Sequence, residues 1–490
     1  MPRHVRNPSM SRAISAAAIH ASLLAASLLP ASASAQALSI RTVALSGQPA
    51  PGTAPGATEG TFGATFRVPV INNAGHVAFI SALNGVPSAS QGIWAETDDG
   101  LRLVTRAGLA APGTSNAILD FPTPQYLNIN DSDDILFACN VFNRGLSLIA
   151  RRDDTPAFVA YPGLAAPGTA NTFATIYASS AAFNSSGQVA FYARLAGVSQ
   201  IDGIWVDDAS TLASRVLEGD PTPGLPDFTF FSLVPSPNNA ISFNDSGRIA
   251  FAADVRSLAR NDASIWRSDP SGLLLIQRED DLMPEFMDAT FLRAFSPIGL
   301  NADGHFFYGT SFAGPGYGDN PQVYYHHDNG TFYPVARTET AIVGGLAEYS
   351  ALNPPATNAQ GRSAFYALLE DGNTTGLNNY ALFRDSGQGT PAIPIYRMSD
   401  PAPGIPGTLL TLVSGAGASR EFTINASGQI AFSTNLRAEG STTSSGNALW
   451  LTDADAVMHL VARSGMLFDV DDGPGEDLRT IISGAIFPAS

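Results

Sequence analysis

No lysine occurs among the 490 residues; all 26 basic residues are arginine. That absence excludes a Walker-type phosphate loop, a Schiff-base nucleophile and a pyridoxal-phosphate attachment site, each of which needs a lysine. A single cysteine, Cys139, excludes an internal disulfide, so the fold is held by its core and its closure even in an oxidising compartment. Cys139 falls on an apolar strand of the second repeat and reads as a small apolar filler. No Gly-x-Ser-x-Gly elbow and no His-Glu-x-x-His pair is present, which removes the commonest hydrolase signatures. Beyond the N-terminal leader, no apolar run is long enough to span a bilayer as a helix.

The leader itself has a recognisable order. Arg3, Arg6 and Arg12 give a basic start, Ala13 to Leu29 is apolar and free of acids, and Ala33-Ser34-Ala35 offers small residues for cleavage before Gln36. This is the pattern of a secretory signal peptide over residues 1–35, so the expected location is secreted, periplasmic or cell-envelope. Its removal takes the formal charge from −17 to −20. So acidic a chain repels nucleic acid and anionic lipid, and neither is an expected partner.

What is abundant is one phrase, Asn-x-x-Gly-x-x-Ala-Phe, clearest at Asn244 to Phe251. Its copies begin at Asn72, Asn130, Asn184, Asn244, Asn301, Asn358 and Asn425, in steps of 58, 54, 60, 57, 57 and 67 residues. Seven copies at one period mean a repeat array. Within each, Asn bonding its own backbone and a Gly at positive φ make a tight hairpin; Asp133, which replaces the Gly in the second copy, tolerates the same conformation. The strand that follows puts bulk on one face (Ile249, Phe251) and a methyl group on the other (Ala250), neither suited to water. Such a sheet fits between two neighbours, large side against small side.

Four strand signals fill each repeat. The first, such as Thr61 to Ile71 or Asp227 to Val234, leads into the Asn turn, and the Ala-Phe strand is the second. The third carries Gly-Ile-Trp, with all four tryptophans in one slot (Trp94, Trp205, Trp266 and Trp450) and Tyr324 and Phe383 in the matching places. This recurrence predicts blade-to-blade packing rather than a ligand platform. The fourth ends in Arg (Arg106, Arg278, Arg337, Arg397, Arg463), read as a structural ion-pair or carbonyl partner, and runs into a Gly/Pro-rich corner that leads to the next blade. The fold expected is all-β: a seven-bladed β-propeller of four-stranded antiparallel blades occupying residues 36–490 as one domain. Ile40 to Gly52 and Asp477 to Phe487 resemble the end and the beginning of further repeats, and are expected to pair and close the ring.

Few residues remain for chemistry. The turn between third and fourth strands is acidic in every repeat, and a ring would align these turns in a belt. His76 and His305 follow the turn Gly and are expected to face solvent; His326 and His327 are adjacent on a strand and so point to opposite faces. Asp469, Asp471 and Asp472, beside Gly473, Glu476 and Asp477, form the densest carboxylate cluster and are the candidate ligands for calcium, although their spacing is not that of the helix-loop-helix site. No organic cofactor is implied.

The tandem phrase, with its Gly-Ile-Trp strand and Ala-Pro-Gly corner, resembles a bacterial family of exported tandem-repeat proteins named after the Asn-x-x-Gly-x-x-Ala-Phe repeat. That resemblance spans the mature chain and implies export, but brings no activity and no catalytic residues. Many of its members carry a C-terminal sorting anchor. Here no Pro-Glu-Pro phrase, apolar helix or basic tail follows Phe487, and anchoring is not expected. The function expected is a monomeric, non-enzymatic binding or scaffold module whose longer loops (84–91, 314–322, 438–447) meet a protein or glycan. An extracellular enzyme acting on carbohydrate polymers at the channel mouth is the alternative, and a calcium-stabilised adhesion module a weaker one.

Overall fold

The computed structural model describes residues 41–480 apart from 54–59, 87–90, 122–125, 198–200, 234–240, 285, 287, 295–298, 319–320, 329, 343–346, 359, 372–374, 377, 386, 388–389, 413–421 and 471–477. The leader therefore lies outside the described residues. The described residues from 41 onward belong to one compact unit, a seven-bladed β-propeller, and every regular element among them is a strand. Each blade is one antiparallel sheet with its strands in chain order. Blade 1, for example, is Thr61–Ile71, Val77–Asn84, Gln91–Thr97 and Gly100–Arg106. The expected first strand is continuous only in blades 1 and 3. In the other five it is two pieces, as at Thr229–Ser232 and Ser242–Phe243 in blade 4, where Asp227 has φ 70° and stands outside the strand.

The Asn turn forms as its chemistry requires. All seven Asn Oδ1 atoms accept the backbone N–H four residues on, at 2.8–2.9 Å. The turn glycines have φ between 74° and 87°, and Asp133 takes their place at 61°. The other end of the same amide has a role the phrase does not display: it reaches the next blade. Nδ2 of Asn72 donates to Asn130 O (2.9 Å), Asn130 to Asn184 O (3.2 Å), Asn184 to Asn244 O (3.0 Å), Asn244 to Asn301 O (2.9 Å) and Asn358 to Asn425 O (2.7 Å). Asn301 lies against the Gly361 turn of blade 6, where an added Cβ would sit 3.2 Å from its Nδ2. The five middle asparagines are buried. Asn425 is exposed and its amide bonds Gln429 within its own turn.

Blades pack large face to small face. Ile249, Phe251 and Trp266 of blade 4 lie on Ala190, Ile204 and Val206 of blade 3, and Phe432 and Trp450 of blade 7 lie on Ala364 and Leu382 of blade 6. All four tryptophans are fully buried. At ~25 cal/mol per Å² and roughly 150–250 Å² per ring, each contributes about 4–6 kcal/mol as an upper bound. Gly92 and Gly203 are small for a reason: a Cβ there would lie 2.6 and 2.7 Å from the Trp94 and Trp205 rings. Trp94 and Trp205 donate to the corner carbonyls of Pro51 (3.1 Å) and Pro167 (3.2 Å). In blade 5 the slot belongs to Tyr325, not Tyr324. Tyr325 pairs with Tyr308 as the tryptophans pair with their Phe, and its hydroxyl donates to Pro284 O at 3.0 Å. A one-residue slip along a strand reverses the face, so Tyr324 packs toward blade 6 instead.

The fourth-strand arginines act as partners for acids and carbonyls at Arg278 (Asp262, 3.6 Å) and Arg397 (Asp371, 3.0 Å; Asn378 O, 2.8 Å). Arg337 instead lies over the rings of Phe286 and Tyr317. Cys139 is fully buried, and burial pushes its thiol up to about 12. The acidic turns do not form a bare belt: Asp154 meets Arg102 and Arg151, Asp207 meets Arg152, and Asp269 meets Arg267. Nor do His76 and His305 simply face solvent. His76 Nδ1 is 2.8 Å from Asp133 of blade 2, and His305 Nε2 is 2.7 Å from Asp328. His326 and His327 do point to opposite faces: His326 meets the buried Asp385 of blade 6, while His327 stacks on Phe306 with centroids 4.6 Å apart.

At the seam, Arg41–Ala50 stands where a preceding blade would be. Arg41 reaches Gly75 O (2.9 Å) and Glu96 (2.7 Å), and Ala50 covers Phe79 and Trp94. Leu478–Thr480 pairs with Leu467–Asp469, and no pairing with residues 41–52 occurs among the described residues. The rest of the expected closing strand lies outside them.

Two outcomes follow for stability. Asn244→Ala strands two turn N–H groups and leaves Asn301 O with only its own Gly304 N–H, and is expected to cost about 2–4 kcal/mol, against about 1 kcal/mol or less for Asn425→Ala. Urea midpoints measure both, and equal losses would show that the amide matters only within its own turn. Burial, then Arg267, lowers His327 to about 4. Its contribution is therefore complete above pH 6.5 and lost as pH falls toward 4, whereas His76, raised by its hydrogen bond to Asp133, adds stability below 6.5 that is lost as pH rises. The urea midpoint of His327→Phe should thus fall less between pH 7.5 and 4.5 than that of the natural chain.

Candidate functional site

The Asn turns converge on the ring axis. Six of the seven, from blades 1 to 6, surround one open cavity of about 380 Å³. Most of its lining falls in three layers, each one position of the repeat, with Ser242 and Gly299 added from the position before them. The Asn side chains are the first layer, already bound to their turns and to the next blade. The residues before them are mostly apolar: Ile71, Ile129, Phe183, Phe243, Leu300 and Thr357. The residues after them form the rim, which is polar on blades 1 to 4 (Asn73, Asp131, Ser185, Asp245) and Ala302 on blade 5. Both rim carboxylates reach back to the preceding blade. Asp131 accepts from Asn73 N (2.9 Å) and Nδ2 (2.7 Å), and Asp245 Oδ1 accepts from Ser185 N (2.8 Å).

The opposite end differs in kind. There the loops between second and third strands and the corners between blades lie together, because the strands alternate in direction. Blade 3 carries four polar groups at this end, of which Glu218 has a counterpart in blade 4, where Glu279 accepts from Ala263 N (3.1 Å) as Glu218 does from Asp202 N. Arg194 clasps Asp202 through two bonds (2.9 and 2.7 Å), and the Tyr177 hydroxyl is 3.3 Å from the same carboxylate. Glu218 takes N–H donors from Asp202 (3.0 Å) and from Leu233 of blade 4 (2.9 Å). Burial, opposed by those two donors and helped by Asp202, raises the Glu218 carboxyl; burial and then Asp202 raise the Tyr177 hydroxyl. In blade 4, partial burial and then Glu279 raise Asp254. Only spacing in three dimensions joins Tyr177 to Glu218, which are 41 residues apart in the chain.

Of the candidate calcium ligands, Asp469 ends the exposed strand Leu467–Asp469, while Asp471 and Asp472 lie outside the described residues. No group of three or more His, Cys, Asp or Glu side chains able to hold a metal occurs among the described residues. No helix among them is long and apolar enough to cross a membrane.

Solved structures similar in fold include a puromycin hydrolase mutant complexed with PGG (12% identity over 83% of this chain and 57% of that one, TM-score 0.36). Others are an oligogalacturonate lyase in complex with manganese (10%, 77% and 85%, 0.37) and an oligogalacturonate lyase from Vibrio parahaemolyticus (8%, 75% and 93%, 0.34). The chain spans little more than half of the puromycin hydrolase, and at such identities none of these likenesses bears on activity. No curated protein matches the sequence. A family described as "Family of unknown function (DUF7453)" matches residues 26–141 and again 71–489. With nearly all of its length accounted for in this way, the chain belongs to that family of unknown function.

Proposed function

We propose that this chain is exported and acts as a non-enzymatic binding or scaffold ring at the cell surface or envelope, presenting its variable loops to a protein or glycan. One observation carries the reading. At the Asn end the repeated polar groups are engaged in joining blades, so the end free to vary is the one bearing the loops between second and third strands. Those loops carry exposed apolar side chains: Phe142 is 52% exposed and Leu258 fully so. Leu258 is flanked by Arg256 and Arg260, and Arg260 pairs with Asp280 of the neighbouring corner (2.9 Å), beside exposed Leu282. Apolar tips framed by arginine are the composition of interface centres. The leader pattern supports export.

A second reading has its own support. The Tyr177–Arg194–Asp202–Glu218 group is the kind of polar cluster an extracellular enzyme acting on carbohydrate polymers would use, with the raised Glu218 carboxyl as proton donor or acceptor.

Two experiments separate them. Expression with the natural leader should yield a protein outside the cytoplasm whose N-terminus is Gln36, and F142S with L258S should reduce partner capture from envelope extracts by tenfold or so at unchanged melting temperature; undiminished capture would sink the loop reading. If the second reading holds, a panel of acidic and neutral polysaccharides should include one that is cleaved, with Glu218→Gln slowing cleavage by about 10²-fold or more.

A further inference from the structure

The axial mouth combines features that no turn or blade contact requires together. Phe183 and Phe243, half-buried, stand beside Ile129 and Leu300 as apolar patches among Ser242, Thr357 and the Asn side chains, and above them the exposed carboxylates of Asp131 and Asp245 sit on the rim. No Arg or His lines the cavity among the described residues. Its volume, about 380 Å³, lies within the range of small-molecule sites. The whole mature chain adds a negative field to that mouth, which draws cations and turns anions away.

A bare metal ion does not suit this lining. The two rim acids are on blades 2 and 4, Asp131 with both oxygens and Asp245 with one already bound to the preceding blade, and no third acid, His or Cys lines the cavity among the described residues. A cation with an apolar body suits it: its charge meets carboxylate and aromatic faces, and its body leaves water for the apolar patches. We infer that the axial mouth, held open by the Asn series, is a binding site for a small organic ammonium ion bearing an apolar group, such as an alkyl- or arylamine. The two rims of the ring then have separate roles, one for a small ligand and one for a macromolecule. This inference rests on the binding-module reading, yet the two fail separately. Loop-end partner capture tests that reading; the titration below tests the mouth alone.

The test is calorimetric titration of the mature chain with 4-phenylbutylammonium, 4-phenylbutanol and 4-phenylbutyrate, which share a body and differ in charge. The ammonium should bind at one saturable site, weaken as salt rises, and outbind the alcohol by about tenfold. Phenylbutyrate should not bind. Asp245→Asn keeps an acceptor for Ser185 N, so the blade contact survives while the charge is lost; it should weaken ammonium binding about tenfold and leave the alcohol unaffected. Phe243→Ala should weaken both. The proposal is overturned if the alcohol binds as tightly as the ammonium, if D245N binds the ammonium as the natural chain does, or if no saturable binding occurs at millimolar ligand with the melting curve intact.

Discussion

The amide of one repeated asparagine does two jobs, and the ring depends on both. Its oxygen closes the hairpin that begins each Ala-Phe strand, and in five of the seven blades its nitrogen donates to the same residue of the next blade. Because the acceptor is the carbonyl that also receives the turn's own glycine N–H, as Gly187 N donates to Asn184 O, each asparagine ties local turn geometry to the spacing between blades. A hydrophobic face alone would hold two blades together but would tolerate sliding. A buried amide with a fixed acceptor does not, since a displaced blade leaves the amide N–H dry and unpaired. The large-face-to-small-face packing supplies most of the cohesion, and the asparagines set its register.

This arrangement makes the two ends of the ring unlike. At the Asn end, the repeated polar residues are drawn inward, and cationic side chains cross to the next blade: Arg152 to Gly187 O, Arg267 to Gly304 O, Arg384 to Ala454 O. Arg41 performs the same contact from the N-terminal side, so one residue stands in for a blade's worth of cation at the seam. The other end carries what repetition leaves free, namely loops of differing length and the Tyr177–Arg194–Asp202 group. Function in a repeat ring is expected at the irregularities, and here they gather at one end and, in milder form, on the half-polar rim of the axial mouth.

Much of this was legible in the residues. The period, the Asn turn with its left-handed Gly or Asp, the tryptophan slot and the corner each follow from local chemistry or from recurrence. The misplacement of the slot in blade 5 shows the limit of reading by pattern. Tyr324 and Tyr325 are equally aromatic, and only the pairing of Tyr325 with Tyr308 says which one faces blade 4. The histidines beside the turn glycines were expected in water because nothing near them in sequence could hold them. Their partner acids come from elsewhere, Asp133 being 57 residues from His76.

The sequence by itself determined the all-β class, the number of blades and the conformation of each hairpin, because these depend on residues within a few positions of one another and are stated seven times. Tertiary structure alone decided what the asparagine nitrogen bonds, which carboxylates are paired, and which side chains meet at either end of the axis. The asparagine contacts join residues 54 to 67 positions apart, and no local pattern encodes a partner that only ring closure brings near. The second role of the asparagine was in view at every repeat and could not be read, since a turn accounts for the residue completely until its neighbour is in place.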